Sequence, residues 1–238
     1  MHESSIAQNL QSIKESVNAA CKRAGRNPDS VQLIAVSKTK PESAIIEALE
    51  AGQLHFGENK MQELQSKMEK ISQPSAVWHM IGTIQTNKIR LIAPRVNWIH
   101  SVGKAKYLDE INKRAGSGGR VINVLIQVNI SAEDQKSGCA PEKLPHILEH
   151  AQTLEHLRVR GLMGMAHFAE NPEHVRSEFA LLRTTLESNS KYNGGNIQLS
   201  ELSMGMSNDF EVAIEEGATM IRVGSAIFGS RNYDWHFT

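Results

Sequence analysis

The sequence predicts an α/β fold, a single (β/α)8 TIM barrel preceded by an extra N-terminal helix, and three observations carry that expectation. The chain has 238 residues, a length typical of one α/β barrel, and no Pro/Ser-rich linker divides it. Eight short runs rich in Val and Ile each precede a longer, more polar, helix-like stretch, the alternation expected of parallel βα units. The chemically unusual residues gather where those runs end, at the face that carries the active site in barrel enzymes. An open doubly wound sheet is the alternative. It normally shows GxGxxG after its first strand, whereas the first run here ends in Ser37-Lys38-Thr39-Lys40-Pro41, without glycine.

The elements follow in order. Ile6, Leu10, Ile13, Val17, Ala20 and Ala24 recur at helical spacing, with Gly25 placed as a C-cap and Pro28 soon after. The strand runs are Val31–Ser37, Leu54–Gly57, Val77–Ile81, Trp98–Ser101, Val121–Asn129, Val159–Met163, Leu199–Ser203 and Met220–Val223. Most are apolar on both faces, as strands covered by helices should be. Helices are expected to start near Glu42, Glu58, Thr86, Lys104, Pro141, Pro172, Asp209 and Ala226. The soft stretches at 72–75, 116–119 and 193–196 are loop-sized, so residues 1–238 read as one domain.

Lys+Arg and Asp+Glu number 26 each, and no polybasic run is present. Neither a nucleic-acid surface nor a membrane surface is expected, so an anion site has to be built locally. Cys21 and Cys139 lack CxxC or metal spacing and read as free thiols in a reducing compartment. The polar N-terminus has no apolar signal core, and no run approaches a transmembrane length; a cytoplasmic protein is the expectation.

Lys38 closes an apolar strand at the barrel mouth. Partial desolvation there would lower its pKa and free the amine to attack an aldehyde. A solvated lysine pairing with Glu58 is the alternative, and Lys40, followed by Pro41, is expected to face solvent. After strands 7 and 8, Ser203-Met204-Gly205-Met206-Ser207 and Gly224-Ser225 put small residues at strand-to-helix turns. In barrels those loops are the recurrent phosphate site, with exposed N–H groups and a helix N-terminus directed at the anion. The glycines could also serve only as turns. Arg222 interrupts the apolar run MIRVGSAIFG. A buried guanidinium requires a partner, either Glu201 on the neighbouring strand or a ligand atom. A nucleophilic lysine, a phosphate cup and a buried cation together form the constellation that pyridoxal 5'-phosphate (PLP) needs: one group for the aldehyde, one for the phosphate and one for the pyridine nitrogen. An arginine at that nitrogen donates a hydrogen bond and leaves the ring unprotonated, a weak electron sink.

These motifs resemble the pyridoxal phosphate homeostasis protein family over nearly the whole chain, from about Ile6 to Tyr233. The resemblance rests on Ala35-Val36-Ser37-Lys38-Thr39-Lys40-Pro41, Phe56-Gly57-Glu58-Asn59, Trp78-His79-Met80-Ile81-Gly82 with Gln85, Asn87 and Lys88, and Val128-Asn129. It continues through Lys136-Ser137-Gly138, Arg160-Gly161-Leu162-Met163, the Ser203–Ser207 stretch and Arg222–Gly229. It implies a barrel like the alanine racemase N-terminal domain (PLP fold type III), with PLP held as a Schiff base on Lys38. It further implies the phosphate around Ser203, Met206, Ser207, Gly224 and Ser225, Arg222 at the pyridine nitrogen, and Asn59 and Met163 lining the ring. Family members are regarded as carriers in PLP (vitamin B6) homeostasis without established catalysis. Gly164-Met165-Ala166 departs from the bulkier, proline-containing turn expected after strand 6; Ser225, where threonine is also usual, keeps the hydroxyl.

The rival function is a PLP-dependent racemase or lyase of low activity. Two-base racemisation requires a second proton-transfer group opposite the lysine, and Tyr107, Tyr192 and Tyr233 lie away from strand ends. A PLP-free Schiff-base aldolase would need a relay beside Lys38, for which Glu58 is the obvious carboxylate. A carrier is therefore the preferred reading, with apo PLP-dependent enzymes as possible recipients, a monomeric state, and no catalytic or metal residues. Lys136 is noted as a second aldehyde acceptor. The ten histidines look scattered, with His146, His150 and His156 on a solvated face, and Trp78 and Trp98 read as core.

Overall fold

The computed structural model describes residues 5–131 and 137–229; Lys136 and Tyr233 lie outside them. Helix α1 (Ile6–Arg23) starts at a capping box in which Ser5 accepts from the Gln8 backbone N–H and the Gln8 side chain accepts from Ser5 N–H. It buries Leu10, Ile13, Val17, Ala20 and Cys21. Its C-cap is Ala24, and Gly25 follows at φ 65°, the left-handed residue that stops the helix. The helix packs on the outside of the barrel beside its last helices, where Arg23 pairs with Glu211 and Glu215.

The eight strands are β1 (Gln32–Val36), β2 (His55–Glu58), β3 (Val77–Met80), β4 (Trp98–Val102), β5 (Ile122–Gln127), β6 (Leu157–Met163), β7 (Ile197–Met206) and β8 (Met220–Val223). They form a closed parallel barrel in sequence order, sealed where β1 pairs with β8 from Gln32↔Met220 to Ala35↔Val223. The helices after successive strands are α2 (Glu42–Glu50), α3 (Met61–Lys70), α4 (Ile89–Ile92), α5 (Ala105–Ser117), α6 (Leu144–Ala151), α7 (Arg176–Ser188), α8 (Phe210–Glu215) and α9 (Ser225–Phe228).

Boundaries depart from the sequence reading for physical reasons. The helix expected at Glu58 starts at Met61, because Glu58 still belongs to β2 and pairs with Met80. Pro141 and Pro172 begin 3-10 turns that lead into α6 and α7, positions where the missing proline N–H is harmless. Strand β7 runs past Ser203 to Met206, since Met206 finds a ladder partner in Arg222 across a register shift.

Alternation along the strands sorts side chains into two layers. Leu33, Ala35, Phe56, Trp78, Met80, Ile99, Val124, Ile126, Leu162, Ile221 and Val223 join the large core between strands and helices. Ile34, Leu125, Met163 and Met220 form a separate cluster with Trp98 and Met165 inside the barrel. At β6 the barrel tolerates no side chain on Gly161: its φ is +157°, and a Cβ there would fall 1.9 Å from the Glu201 carbonyl oxygen. Among the described residues, no helix is long and apolar enough to cross a membrane.

Candidate functional site

The alternation that puts Ser37 and Glu58 into the outer layer puts Lys38 and Asn59 at the inner rim. There they border a cavity of about 550 Å³ at the C-terminal ends of the strands. Lys38, Asn59, Met206, Ser207, Arg222, Gly224 and Ser225 all line it. Gly82 permits the close approach of the β3 loop, since a Cβ there would lie 2.2 Å from the Asn59 carbonyl oxygen.

Two expected residues lie below the wall. Ser203 is fully buried, and its hydroxyl meets His100 Nδ1 at 2.9 Å and Arg222 NH1 at 2.6 Å. The structure thus puts Ser203 under Arg222, off the cavity wall. Met163 packs in the barrel interior one layer down, and Met165, on the same face just past the end of β6, lines the cavity. Lys40, expected to face solvent, does not point into it. It lines the same cavity, and its Nζ donates to the Phe228 carbonyl at 2.6 Å, drawn back by the exposed carbonyls of short helix α9.

Glu58 is engaged behind the strand. Its Oε1 accepts from Ser37 Oγ at 2.6 Å and from Lys67 Nζ at 2.7 Å. Lys67 also donates to the Ser37 carbonyl at 2.7 Å and to Glu63 at 2.8 Å. Glu63 in turn accepts from the backbone N–H of Thr39 at 2.6 Å. That bond holds Thr39 at φ 64°, a conformation costly for a β-branched residue. Lys67, Glu63 and Glu58 therefore clamp the turn that presents Lys38, from its outer side. Burial raises the Glu58 carboxyl against the pull of Lys67, and among the described residues its Oε2 has no hydrogen-bond partner. Lys67 was detectable only as a lysine on the otherwise apolar face of α3, beside Met61, Leu64 and Met68.

Arg222 is 4% exposed, and among the described residues neither of its hydrogen bonds goes to a carboxylate. NH1 donates to Ser203, and NH2 donates to the Gly164 carbonyl at 3.1 Å. Glu201, the alternative partner, instead accepts from Thr219 Oγ1 at 2.7 Å. Burial pulls the guanidinium down to about 10, opposed by the field of Asp209, so it stays charged at neutral pH. Two of its five N–H donors are used among the described residues, and the side chain borders the cavity. Gly164, at the departure noted after strand 6, packs closely: a Cβ would lie 2.7 Å from Ile130 Cδ1, so the Ile130 side chain would have to shift to admit one.

The far wall is formed by the loops after β7 and β8. Ser207 Oγ lies 3.4 Å from both the Gly224 N–H and Ser225 Oγ. With α9 only one turn long, the anion-binding capacity here resides in N–H and O–H donors. Asp209, which the sequence did not single out, accepts from Met206 N–H at 2.6 Å and fixes the β7 loop. Gln127, among the unusual residues that close the strands, is a further cavity residue at the end of β5.

Outside the cavity, Cys21 and Cys139 are buried free thiols, and burial pushes Cys139 up to about 11. His150 pairs with Asp109 at 2.6 Å, and His146 is exposed beside Glu149. Among the described residues, no three His, Cys, Asp or Glu side chains form a group able to hold a metal ion. The site thus offers an amine, a buried hydrogen-bond-donating cation and a hydroxyl-lined anion cup around one cavity.

Comparison with known proteins gives a consistent result. Residues 8–232 match the family model described as alanine racemase, N-terminal domain. A Pseudomonas aeruginosa protein named pyridoxal phosphate homeostasis protein is 43% identical over 230 residues, 97% of each chain. The structure of PipY from Synechococcus elongatus with PLP bound superimposes with a TM-score of 0.82 at 36% identity, covering 94% of this chain and 100% of that one. An alanine racemase from Streptomyces lavendulae shares the fold alone, with a TM-score of 0.72 at 19% identity, covering 93% of this chain and 58% of that one.

Proposed function

Because the chain belongs to the pyridoxal phosphate homeostasis protein family, on the alanine racemase N-terminal fold, we propose that it binds PLP and carries it for intracellular vitamin B6 homeostasis. The observation that supports this most is the convergence of Lys38, Arg222 and the Ser207/Gly224/Ser225 cup on one cavity. The donor set fits the group in chemistry and number. PLP, when bound, supplies an aldehyde that a lysine amine can hold as a Schiff base.

Lys38 is the amine in this reading. Ser207, Ser225 and the N–H groups of their loops hold the phosphate, and Met206 and Gly224 shape that cup. Arg222 donates to the pyridine nitrogen from below, while Asn59 and Met165 flank the ring. A guanidinium cannot give up its proton at physiological pH, so Arg222 stabilises an unprotonated ring nitrogen and withholds the strong electron sink that a carboxylate would create. Tyr107 and Tyr192 lie away from the cavity wall, where a second proton-transfer group would have to stand. These features support a carrier over a racemase, in keeping with relatives named for homeostasis. We read residues 1–238 as one domain, cytoplasmic and monomeric, passing PLP to apo enzymes that need it.

The phosphate cup gives a direct test. Ser207→Ala removes one hydroxyl donor to a charged oxygen, worth about 1.5–3 kcal/mol, and should weaken PLP about 10- to 100-fold. Pyridoxal, which lacks the phosphate, should bind the variant and the parent alike. Equal losses for PLP and pyridoxal in an absorbance titration would remove the phosphate from this end of the cavity.

A further inference from the structure

Three histidines on successive strands cross the barrel interior in a line. His55 Nδ1 lies 3.0 Å from His79 Nε2, His79 Nδ1 lies 2.9 Å from His100 Nε2, and His100 Nδ1 lies 2.9 Å from Ser203 Oγ. Ser203 Oγ receives Arg222 NH1 at 2.6 Å. His79 and His100 are fully buried, with Trp98 stacked on His79 at 5.9 Å between ring centres. His55 is half-buried and borders a separate cleft with Lys14, Asn18, Asp29, Gln32 and Gln53. The line therefore runs from the cavity floor to the opposite end of the barrel.

Donor accounting gives this line a direction. A guanidinium only donates, so Ser203 Oγ is an acceptor from Arg222. The hydroxyl has one proton, and its other hydrogen-bond neighbour is His100 Nδ1. If Ser203 donates to His100 Nδ1, then His100 carries its proton on Nε2 and donates to His79 Nδ1. His79 likewise donates from Nε2 to His55 Nδ1. Every ring is neutral and every internal group is satisfied. The reversed line leaves a buried hydroxyl proton without an acceptor among the described residues, at a cost that selects against it.

We propose that His55, His79 and His100 are positioning residues for Arg222, and that their hydrogen-bonded line couples protonation at the far end of the barrel to ligand binding at the pyridine end of the cavity. This rests on reading the cavity as the PLP site. In the directed line His55 Nδ1 must accept. A protonated His55 carries hydrogen on both nitrogens, and its Nδ1–H would confront the Nε2–H of His79. Reversing the whole line relieves that conflict. Ser203 then accepts from His100 as well as from Arg222, and Arg222 loses its exclusive hold on the hydroxyl. Proton uptake by His55 and a firmly held Arg222 therefore oppose each other.

The surroundings set the direction of the pH effect. His55 faces His79 within the barrel and the neutral Gln32 and Gln53, with Lys14 of α1 and Asp29 of the first 3-10 turn across the cleft. His79 faces the two other histidines and the uncharged Trp98. His100 faces Arg222, behind which stands Asp209. Burial lowers His55 and holds His79 and His100 well below the ordinary value; the charge of Arg222 adds to the lowering of His100. A histidine lowered in this way resists protonation until the pH falls below its ordinary value of about 6.5. The directed line is thus intact at neutral pH and fails on the acid side.

The test combines ring-nitrogen NMR on the ligand-free wild type with PLP titrations of wild type and His55→Phe across pH. Expected are three neutral rings protonated on Nε2 near neutral pH. The ratio of wild-type to His55→Phe affinity for PLP should fall by up to about tenfold per pH unit below the histidine transition, and taking the ratio cancels the titration of PLP itself. A proton on Nδ1 of His100 would overturn the directed line, whatever the cavity binds. A pH-independent ratio would overturn the coupling. A wild type that takes up no PLP at any pH would overturn the site reading and the coupling together, with the NMR result still deciding the line.

Discussion

Lys67→Met is expected to destabilise the protein by about 3–5 kcal/mol, the range for stranding one member of a buried ion pair. Lys67 is 4% exposed and Glu58 fully buried, and the ammonium is the only charge hydrogen-bonded to that carboxylate among the described residues. Its loss also frees the Ser37 carbonyl and Glu63, which together hold the turn before and after Lys38. The sign with pH follows from Glu58, whose carboxyl is raised by burial. A carboxyl raised on folding favours the folded state when protonated, and that contribution is lost as pH rises through the carboxylate range. The penalty of Lys67→Met should therefore be largest near pH 8 and smaller at an acid pH, because burial makes the Glu58 carboxyl take up its proton more readily than an ordinary carboxyl. Urea unfolding at the two pH values measures this. Adding Glu58→Leu should recover most of the loss, because replacing a buried pair with apolar groups is often neutral. A double variant as unstable as the single would mean that the clamp acts through the backbone carbonyl of Ser37 alone.

Lys38→Ala is the second large effect. It should abolish the covalent adduct and lower PLP retention by at least about 100-fold, roughly 2.7 kcal/mol. The melting temperature should hardly change, since the side chain is half-buried at the cavity rim and lies outside the packed core. Lys40→Ala is the informative control, because Lys40 lines the same cavity but donates to the Phe228 carbonyl. It should leave the adduct in place. Loss of the adduct in Lys40→Ala with retention in Lys38→Ala would transfer the role to the wrong lysine for this account.

The barrel was legible because its signal repeats: eight apolar runs, each punctuated by small or polar residues, leave few other topologies. Single boundaries were less legible. Gly205 reads as a turn in isolation, yet a register shift lets Met206 pair with Arg222 and extends β7. The inner rim was legible where chemistry and strand end coincide, as at Lys38 and Arg222. Depth was not: Ser203 is two residues from Gly205 in sequence but sits beneath Arg222, because the level along the strand, across the shifted β7–β8 register, decides which hydroxyl reaches the cavity. The partners of the site residues were least visible. His55, His79 and His100 are 24 and 21 positions apart, a spacing that only the barrel turns into contact. Lys67 looked like any helical lysine until the apolar face around it was seen to be buried.

Borohydride reduction of the PLP-loaded wild type, followed by peptide mass mapping, decides whether this cavity holds PLP on Lys38. A phosphopyridoxyl group is expected on the peptide containing Lys38. A label confined to Lys40 or Lys136, or no label at all, would contradict it.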